Sequence, residues 1–287
     1  MTATSLGRLT YLAAKPFVHF VRHLAHPDLP NEHMRTTVSH RGKRFDIRHR
    51  RWSQADPLAI QQCFAQAQYD MPDGPHGALL KSIYQKIVAS GRKPLIVDCG
   101  ANIGASVLWF SAHYPEAHII GIEPAPENFD LLRLNCAGLD VDLRQAGIGA
   151  ADGNSILSGL DGSHMSYRTG ISEDGLAIDV ISVKTLLASK PSSVYVPFLL
   201  KIDIEGAEKF LFDGDTSALN HFPLIILEPH DWLLPGEGTS LSFFRFHAAA
   251  GREFCMKHEN IASIAIDPAL LNTFGKSGHA AAAQQPA

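Results

Sequence analysis

The chain has 287 residues, 45% of them apolar and 19% charged, which excludes a disordered, collagen-like or membrane-embedded protein and predicts one large domain or one domain with an appendage. Four scattered cysteines, Cys63, Cys99, Cys136 and Cys255, make no CxxC pair and have no histidine at zinc-finger spacing, so neither a structural zinc nor a disulfide framework is expected and a reducing cytoplasm fits best. The net charge of -4 divides unevenly, with 10 Lys/Arg against 4 Asp/Glu in residues 1–60 and 15 against 25 in the rest.

The first apolar stretch, up to Leu24, is interrupted by Arg8, Lys15 and Arg22, so neither a membrane-spanning helix nor a signal peptide is expected. HPDLPNEH (26–33) breaks the chain. TTVSHRGKRFDIRHR (36–50) predicts a hairpin turning at Arg41-Gly42. Its basic run alternates with Phe45 and Ile47, which favours a solvated strand over a nucleic-acid patch. DPLAIQQCFAQAQYD predicts a helix with Asp56 at its cap and Pro57 in its first turn. MPDGPHG ends it, and GALLKSIYQKIVASGRKP forms another helix, stopped by Gly91 and Pro94.

From Pro94 short apolar runs alternate with longer mixed segments. LIVD (95–98) precedes a helix over 103–113, HIIGIE (118–123) precedes one over 126–137, and VDLRQA (141–146) is a third strand. A Gly/Ser/Asp-rich excursion over 153–175 reads as a mobile loop able to close over a bound acceptor. FLLKID (198–203) and PLIILE (223–228) are two more strands, and a helix follows around 240–250. Solid apolar runs without alternation mark parallel strands buried on both faces. EFCMKH (253–258) and IASIAI (261–266) are too close for a crossover and must pair antiparallel. The expected fold is α/β: a Rossmann-like doubly wound sheet, mostly parallel, with a C-terminal antiparallel hairpin and a small N-terminal α+β extension. The expected division is an extension over 1–93 flanking the acceptor site, a catalytic domain over 94–268 and a low-complexity, disordered tail over 269–287.

Four motifs fall where such a sheet binds ligands. Asp98-Cys-Gly-Ala-Asn-Ile-Gly104 runs from a strand end into a helix start, where Gly100 and Gly104 allow a tight turn and close backbone approach. The dinucleotide fingerprint needs glycine where Asn102 and Ala105 stand, and Asp98 repels phosphate while attracting an ammonium group. That favours S-adenosylmethionine over a nicotinamide cofactor. Glu123, 19 residues after Gly104 at the next strand end, suits the ribose hydroxyls. LLKIDIEGAEKFLFDG (199–214) supplies Asp203 and Glu205, and LIILEPHDW (224–232) supplies Glu228 and His230, acids beside a histidine that suit removal of a hydroxyl proton. The structural alternatives are a helix cap for Glu205 and an ion pair for Lys201. The same four polar residues suit a divalent metal if they converge, a reading placed second to acid/base chemistry, so no metal ligand is assigned.

Together these motifs resemble the FkbM family of S-adenosylmethionine-dependent methyltransferases, over about residues 45–266. VDCGANIG (97–104), Glu123 with Pro124, LKIDIEGAE (200–208) and EPH (228–230) match the family's motifs, and SQADPLAIQQCFAQAQYD (53–70) matches the region before its core. The resemblance implies a class I fold, S-adenosylmethionine as cofactor, and methylation of a hydroxyl on a sugar, glycolipid, polyketide or similar metabolite. Gln145-Ala146-Gly147 stands where many class I enzymes hold adenine with an acid, leaving adenine to the backbone or to Gln145. His230, oriented by Glu228 or Glu205, is expected to act as base, with Asp203 lining the methyl-donor pocket. The cofactor set is Asp98, Gly100, Asn102, Gly104, Glu123, Pro124, Gln145, Ala146 and Asp203. The expected partner is a small-molecule or saccharide acceptor, with no nucleic acid. The competing readings are a nicotinamide-dependent oxidoreductase and a non-catalytic adenosyl-ligand binding protein.

Overall fold

The computed structural model describes residues 33–71, 73–159, 167–170 and 175–267. The expectations for the first residues and for the C-terminal tail lie outside this range.

An antiparallel hairpin opens it, β1 (His33–His40) and β2 (Lys43–Arg50). Its two turn residues, Arg41 and Gly42, both have positive φ, 48° and 79°, the backbone that lets a two-residue turn follow the strand twist. The strand is solvated at its start, but its end is not: His49 and Arg50 are buried. Helix α1 (Ala55–Phe64) follows. It begins one residue before Asp56, with Gln54 at the cap position, so Asp56 does not cap it. Ser53 Oγ instead accepts the Asp56 N–H at 3.1 Å, and the Asp56 carboxylate turns inward to Arg50. Helix α2 (Pro75–Ala89) completes the extension.

The central sheet has seven strands in the order β12-β13-β11-β10-β3-β4-β5. β3 (Lys93–Cys99), β4 (His118–Ile122), β5 (Val141–Arg144), β10 (Tyr195–Ile202) and β11 (Leu224–Leu227) run parallel. β12 (Glu253–Lys257) and β13 (Asn260–Ile264) form the expected hairpin, with β13 antiparallel to β11. Alternate residues of the inner strands feed two cores. Ile96, Ile119 and Ile226 pack with α1, α2, α3 (Ala105–His113) and α4 (Pro126–Asn135). Leu95, Val97, Ile120 and Ile225 pack on the other face with α5 (Val183–Ala188), α6 (Glu208–Phe212) and α7 (Leu241–Ala249). Burial on both faces is why these strands read as unbroken apolar runs.

The 153–175 stretch is not one long loop. β7 (Gly153–Gly159), β8 (Tyr167–Gly170) and β9 (Leu176–Ser182) join β6 (Gly147–Gly149) in a second sheet, order β6-β9-β7-β8. Cross-strand pairing over Gly153–Leu157 and Leu176–Val180 overrides the loop-like composition, because strand preference depends on neighbours more than on residue type. Among the described residues no helix is long and apolar enough to cross a membrane.

Candidate functional site

In chain order the sheet grows from β3 through β4 to β5 on one side, then resumes at β10 and β11 on the other. The crossover therefore lies between β3 and β10, and open parallel sheets bind ligands at the carboxyl ends of strands beside such a point. All five strands of the parallel set end on one edge, which collects Gly100, Glu123, Asp203 and Glu228 from four separate motifs.

The loop after β3 is fitted to the neighbouring strand end. Gly100 has φ 83°, and a Cβ there would stand 1.8 Å from the Asp203 carbonyl oxygen. Gly42, with φ 79°, has nothing within 4 Å. Gly42→Ala is expected to cost about 1–2 kcal/mol for its left-handed backbone alone. Gly100→Ala adds a collision with backbone and is expected to cost distinctly more, read as a lower urea unfolding midpoint for the second variant than for the first. Gly104, at φ 92°, occupies the cap position of α3 against Leu132.

Glu123 is buried at the end of β4 and accepts the Asn102 N–H at 2.9 Å, the Ala125 N–H at 3.0 Å and Asn128 Nδ2 at 3.2 Å. Burial raises its pKa above the usual carboxylate range, against those hydrogen bonds. Asn102 holds a left-handed backbone, φ 48°, and its buried Oδ1 has no hydrogen-bond partner. Behind Glu123 lies a network that the sequence did not disclose. Arg50 Nη2 donates to Asn128 Oδ1 at 2.8 Å and to Asp56 Oδ1 at 2.6 Å, while Arg50 Nε donates to Asp56 Oδ2 at 2.9 Å. The N-terminal extension thus braces the acid at the end of β4. Nothing in the local pattern separates Arg50 from the exposed Arg44 and Arg51.

Asp98 is fully buried, with Lys201 Nζ 3.1 Å from its Oδ1. The same ammonium donates to the Gly100 carbonyl at 2.6 Å and lies 3.3 Å from Asp203 Oδ2. Lys201 therefore takes the ion-pairing role allowed for it, pinning the glycine loop between two strand ends. The cleft above is lined on the sheet side by Lys201, Asp203, Glu205 and Glu228 and by the loop Gly100–Ile103, and on the other by Gln62, Cys63 and Tyr69. Asp98 is not part of that lining. Gln145 is exposed and Ala146 buried, at the end of β5. Pro124 follows Glu123 into α4.

The catalytic candidates converge around His230, which is 2% exposed. Its Nδ1 lies 2.8 Å from Glu208 Oε1. Its Nε2 lies 3.5 Å from Glu205, 3.7 Å from Asp203 and 3.8 Å from Glu228. The orienting partner is therefore Glu208, not Glu228 or Glu205. Glu208 is completely buried, and the sequence carries its signal: it shares the inward face of α6 with Leu211 and Phe212, an acid at an apolar position. Glu205 does not cap α6, whose cap position is Ala207; it holds a left-handed backbone, φ 55°, that turns its carboxylate toward the histidine.

Burial, then repulsion from Asp203, pushes Glu205 up to about 8 and Glu228 up to about 9. Burial alone would lower His230, but the hydrogen bond its Nδ1–H donates to Glu208 and the surrounding carboxylates outweigh it and raise it to about 9. Carboxylates outnumber cations here, so the cluster holds its protons near neutral pH and an added positive charge displaces them.

The family model described as "Methyltransferase FkbM domain" matches residues 98–254. Methyltransferase 1 of Beauveria bassiana is 29% identical over 143 residues, 42% of this chain and 57% of that protein. Hexuronic acid methyltransferase AglP of Haloferax volcanii is 30% identical over 151 residues, 50% of this chain and 59% of that protein. The chain thus spans less than two thirds of either relative's length. Among solved structures, the O-methyltransferase TomG from Streptomyces achromogenes covers 74% of this chain and 90% of its own, at 13% identity and a TM-score of 0.36. With the glycine loop, Glu123 and the LKIDIEGAE segment all at the carboxyl edge of the sheet, and the family model covering more than half its length, the chain belongs to the FkbM methyltransferase domain family.

Proposed function

We propose that the protein transfers a methyl group from S-adenosylmethionine to a hydroxyl oxygen of a sugar, glycolipid, polyketide or similar small acceptor. The observation that carries this reading is the acid-rich cleft: the carboxyls of Asp203, Glu205 and Glu228 line it against one ammonium, Lys201, and Glu205 and Glu228 hold their protons near neutral pH until a positive charge displaces them. Such a wall favours a ligand carrying positive charge and disfavours the pyrophosphate of a nicotinamide cofactor. The residues present fit the group. Glu123 is held by three donors at the end of β4, and the buried Oδ1 of Asn102, whose N–H bonds to it, has no hydrogen-bond partner.

When bound, S-adenosylmethionine supplies an electrophilic methyl on sulfonium sulfur, which passes to the acceptor oxygen as the carbon–sulfur bond breaks. Glu123 and Asn102 are assigned to its adenosyl end, with Gln145 and Ala146 near adenine and the Gly100–Gly104 loop at the methionine end. Asp98 acts there through Lys201, which it neutralises. Asp203, Glu205, Glu228 and His230 stand where the acceptor hydroxyl gives up its proton, and Glu208 fixes the imidazole. The described part of the extension, through α1 and the residues after it, flanks the acceptor side, in keeping with Gln62 and Tyr69 in the cleft wall. The hexuronic acid in the name of the archaeal relative favours a saccharide as the first acceptor to screen.

The test is calorimetric titration with S-adenosylhomocysteine and, separately, NAD(H), followed by transfer of labelled methyl to a panel of hydroxylated saccharides and polyketides. Binding of the homocysteine product with labelled methyl in a base-stable ether supports the reading. Binding of NAD(H) alone restores the oxidoreductase, and product binding without transfer to any acceptor restores the non-catalytic reading. Glu123→Ala is expected to weaken S-adenosylhomocysteine by at least about ten-fold, the loss of one or two charge-assisted hydrogen bonds. Unchanged affinity removes Glu123 from the ribose site.

A further inference from the structure

We propose that Asp203, Glu228 and His230 form a binding site for one divalent cation, of the class that takes mixed oxygen and imidazole ligands, such as Mn²⁺. One ligand atom from each residue lies within 4.8 Å of the others, and among the described residues this is the group of His, Cys, Asp and Glu side chains so placed. The ligands come from two neighbouring strand ends, after β10 and after β11, so parallel pairing of Leu199–Ile202 with Leu224–Leu227 fixes their spacing.

The histidine distinguishes this site from an acidic patch. His230 is 98% buried, yet its Nε2 makes no good hydrogen bond: its nearest carboxylate oxygens stand at 3.5, 3.7 and 3.8 Å. Its other nitrogen is committed to Glu208 at 2.8 Å, the carboxylate–imidazole arrangement that holds a metal-binding histidine in one tautomer with the far lone pair free. Nε2 facing three carboxyl groups requires positive charge between them, either a proton on the ring or a cation that displaces it. Ligands at right angles on one ion of radius suited to about 2.1 Å bonds are ~3 Å apart. The observed separations therefore close onto an ion by side-chain adjustment of about one to two ångströms. Asp203 and Glu228 also line the cleft of ≈ 70 Å³, which His230 does not line, so the two carboxylates connect the site to solvent. Two carboxylates and one imidazole fill three positions and leave the rest to water or to an acceptor oxygen.

This inference goes beyond the transfer reading and rests on it only for the role it leaves to Glu205. With Asp203, Glu228 and His230 on the cation, Glu205 is the carboxylate beside the site that stays free. An acceptor hydroxyl on the cation loses its proton to Glu205 as its oxygen bonds to the methyl carbon and the sulfur keeps the electron pair.

Mn²⁺ titrated into the full chain without cofactor, followed by electron paramagnetic resonance, tests the site. The expected result is one ion per chain with nitrogen coupling from an imidazole in the pulsed spectrum. His230→Gln is expected to remove that coupling, Asp203→Asn to weaken binding at least ten-fold, and Glu208→Gln to weaken it about ten-fold. Absence of binding at millimolar Mn²⁺, binding without nitrogen coupling, or coupling that survives His230→Gln overturns the proposal. Should the variants fail to fold, the coupling in the unaltered chain decides. S-adenosylhomocysteine titrated into the same sample keeps the two readings separate. Binding of the product by a protein that takes up no Mn²⁺ overturns the cation site alone, and uptake of Mn²⁺ by a protein that does not bind the product overturns the transfer reading alone.

Discussion

His230→Ala is expected to lower methyl transfer by a factor of about 10²–10⁴ while leaving S-adenosylhomocysteine affinity within a few-fold. The asymmetry follows from where the imidazole stands. It is fixed from behind by fully buried Glu208 and faces Asp203, Glu205 and Glu228, while Glu123 is held separately at the end of β4 by Asn102, Ala125 and Asn128. Removing it disrupts the groups that take the hydroxyl proton and leaves the adenosyl end intact. Single-turnover transfer to an acceptor from the labelled-methyl screen, paired with calorimetry, measures both quantities. Equal losses in turnover and affinity would show that His230 supports the cofactor pocket instead. The loss is expected whether the ring acts directly on the proton or through a cation, since both need Nε2 in the cluster.

Asp56→Ala is expected to cost about 3–5 kcal/mol of stability, because it leaves the buried Arg50 guanidinium without its buried counter-charge, with only solvent-exposed Glu127 at 3.8 Å. Both groups are nearly inaccessible and share two side-chain hydrogen bonds, with the Arg50 N–H adding a third at 2.8 Å. Urea unfolding of the two proteins at pH 7 measures the difference, and a change under 1 kcal/mol would place Arg50 in water rather than in the core. Burial alone would raise the Asp56 carboxyl; the Arg50 hydrogen bonds outweigh it and hold its pKa below the ordinary value. A carboxyl lowered in the folded state stabilises fully above its unfolded value, about 3.9, and loses that contribution as pH falls through the folded value. The gap between the two proteins should therefore be constant from pH 5 to 8 and shrink below about pH 4. Since Arg50 also holds Asn128, which holds Glu123, the variant should bind S-adenosylhomocysteine more weakly at temperatures where it remains folded.

What the sequence by itself determined is the frame and the edge. Unbroken apolar runs such as LIVD and FLLKI identify strands buried on both faces, and parallel strands must end on one side, so Glu123, Asp203, Glu228 and His230 are placed together before any coordinate is known. The two-residue gap between EFCMKH and IASIAI likewise forces an antiparallel hairpin. The tertiary structure alone decided which side chains on that edge touch. Glu208 reaches His230 from 22 residues away, and Arg50 reaches Asn128 from 78 residues away, contacts set by helix docking that no local pattern encodes. It also turned Asp56 from a helix cap into the partner of a buried arginine, and Gly/Ser-rich residues into strands, because both outcomes depend on what lies across the fold. Periodicity records which face of an element is buried; the partner on that face is a long-range choice, made only when the layers close.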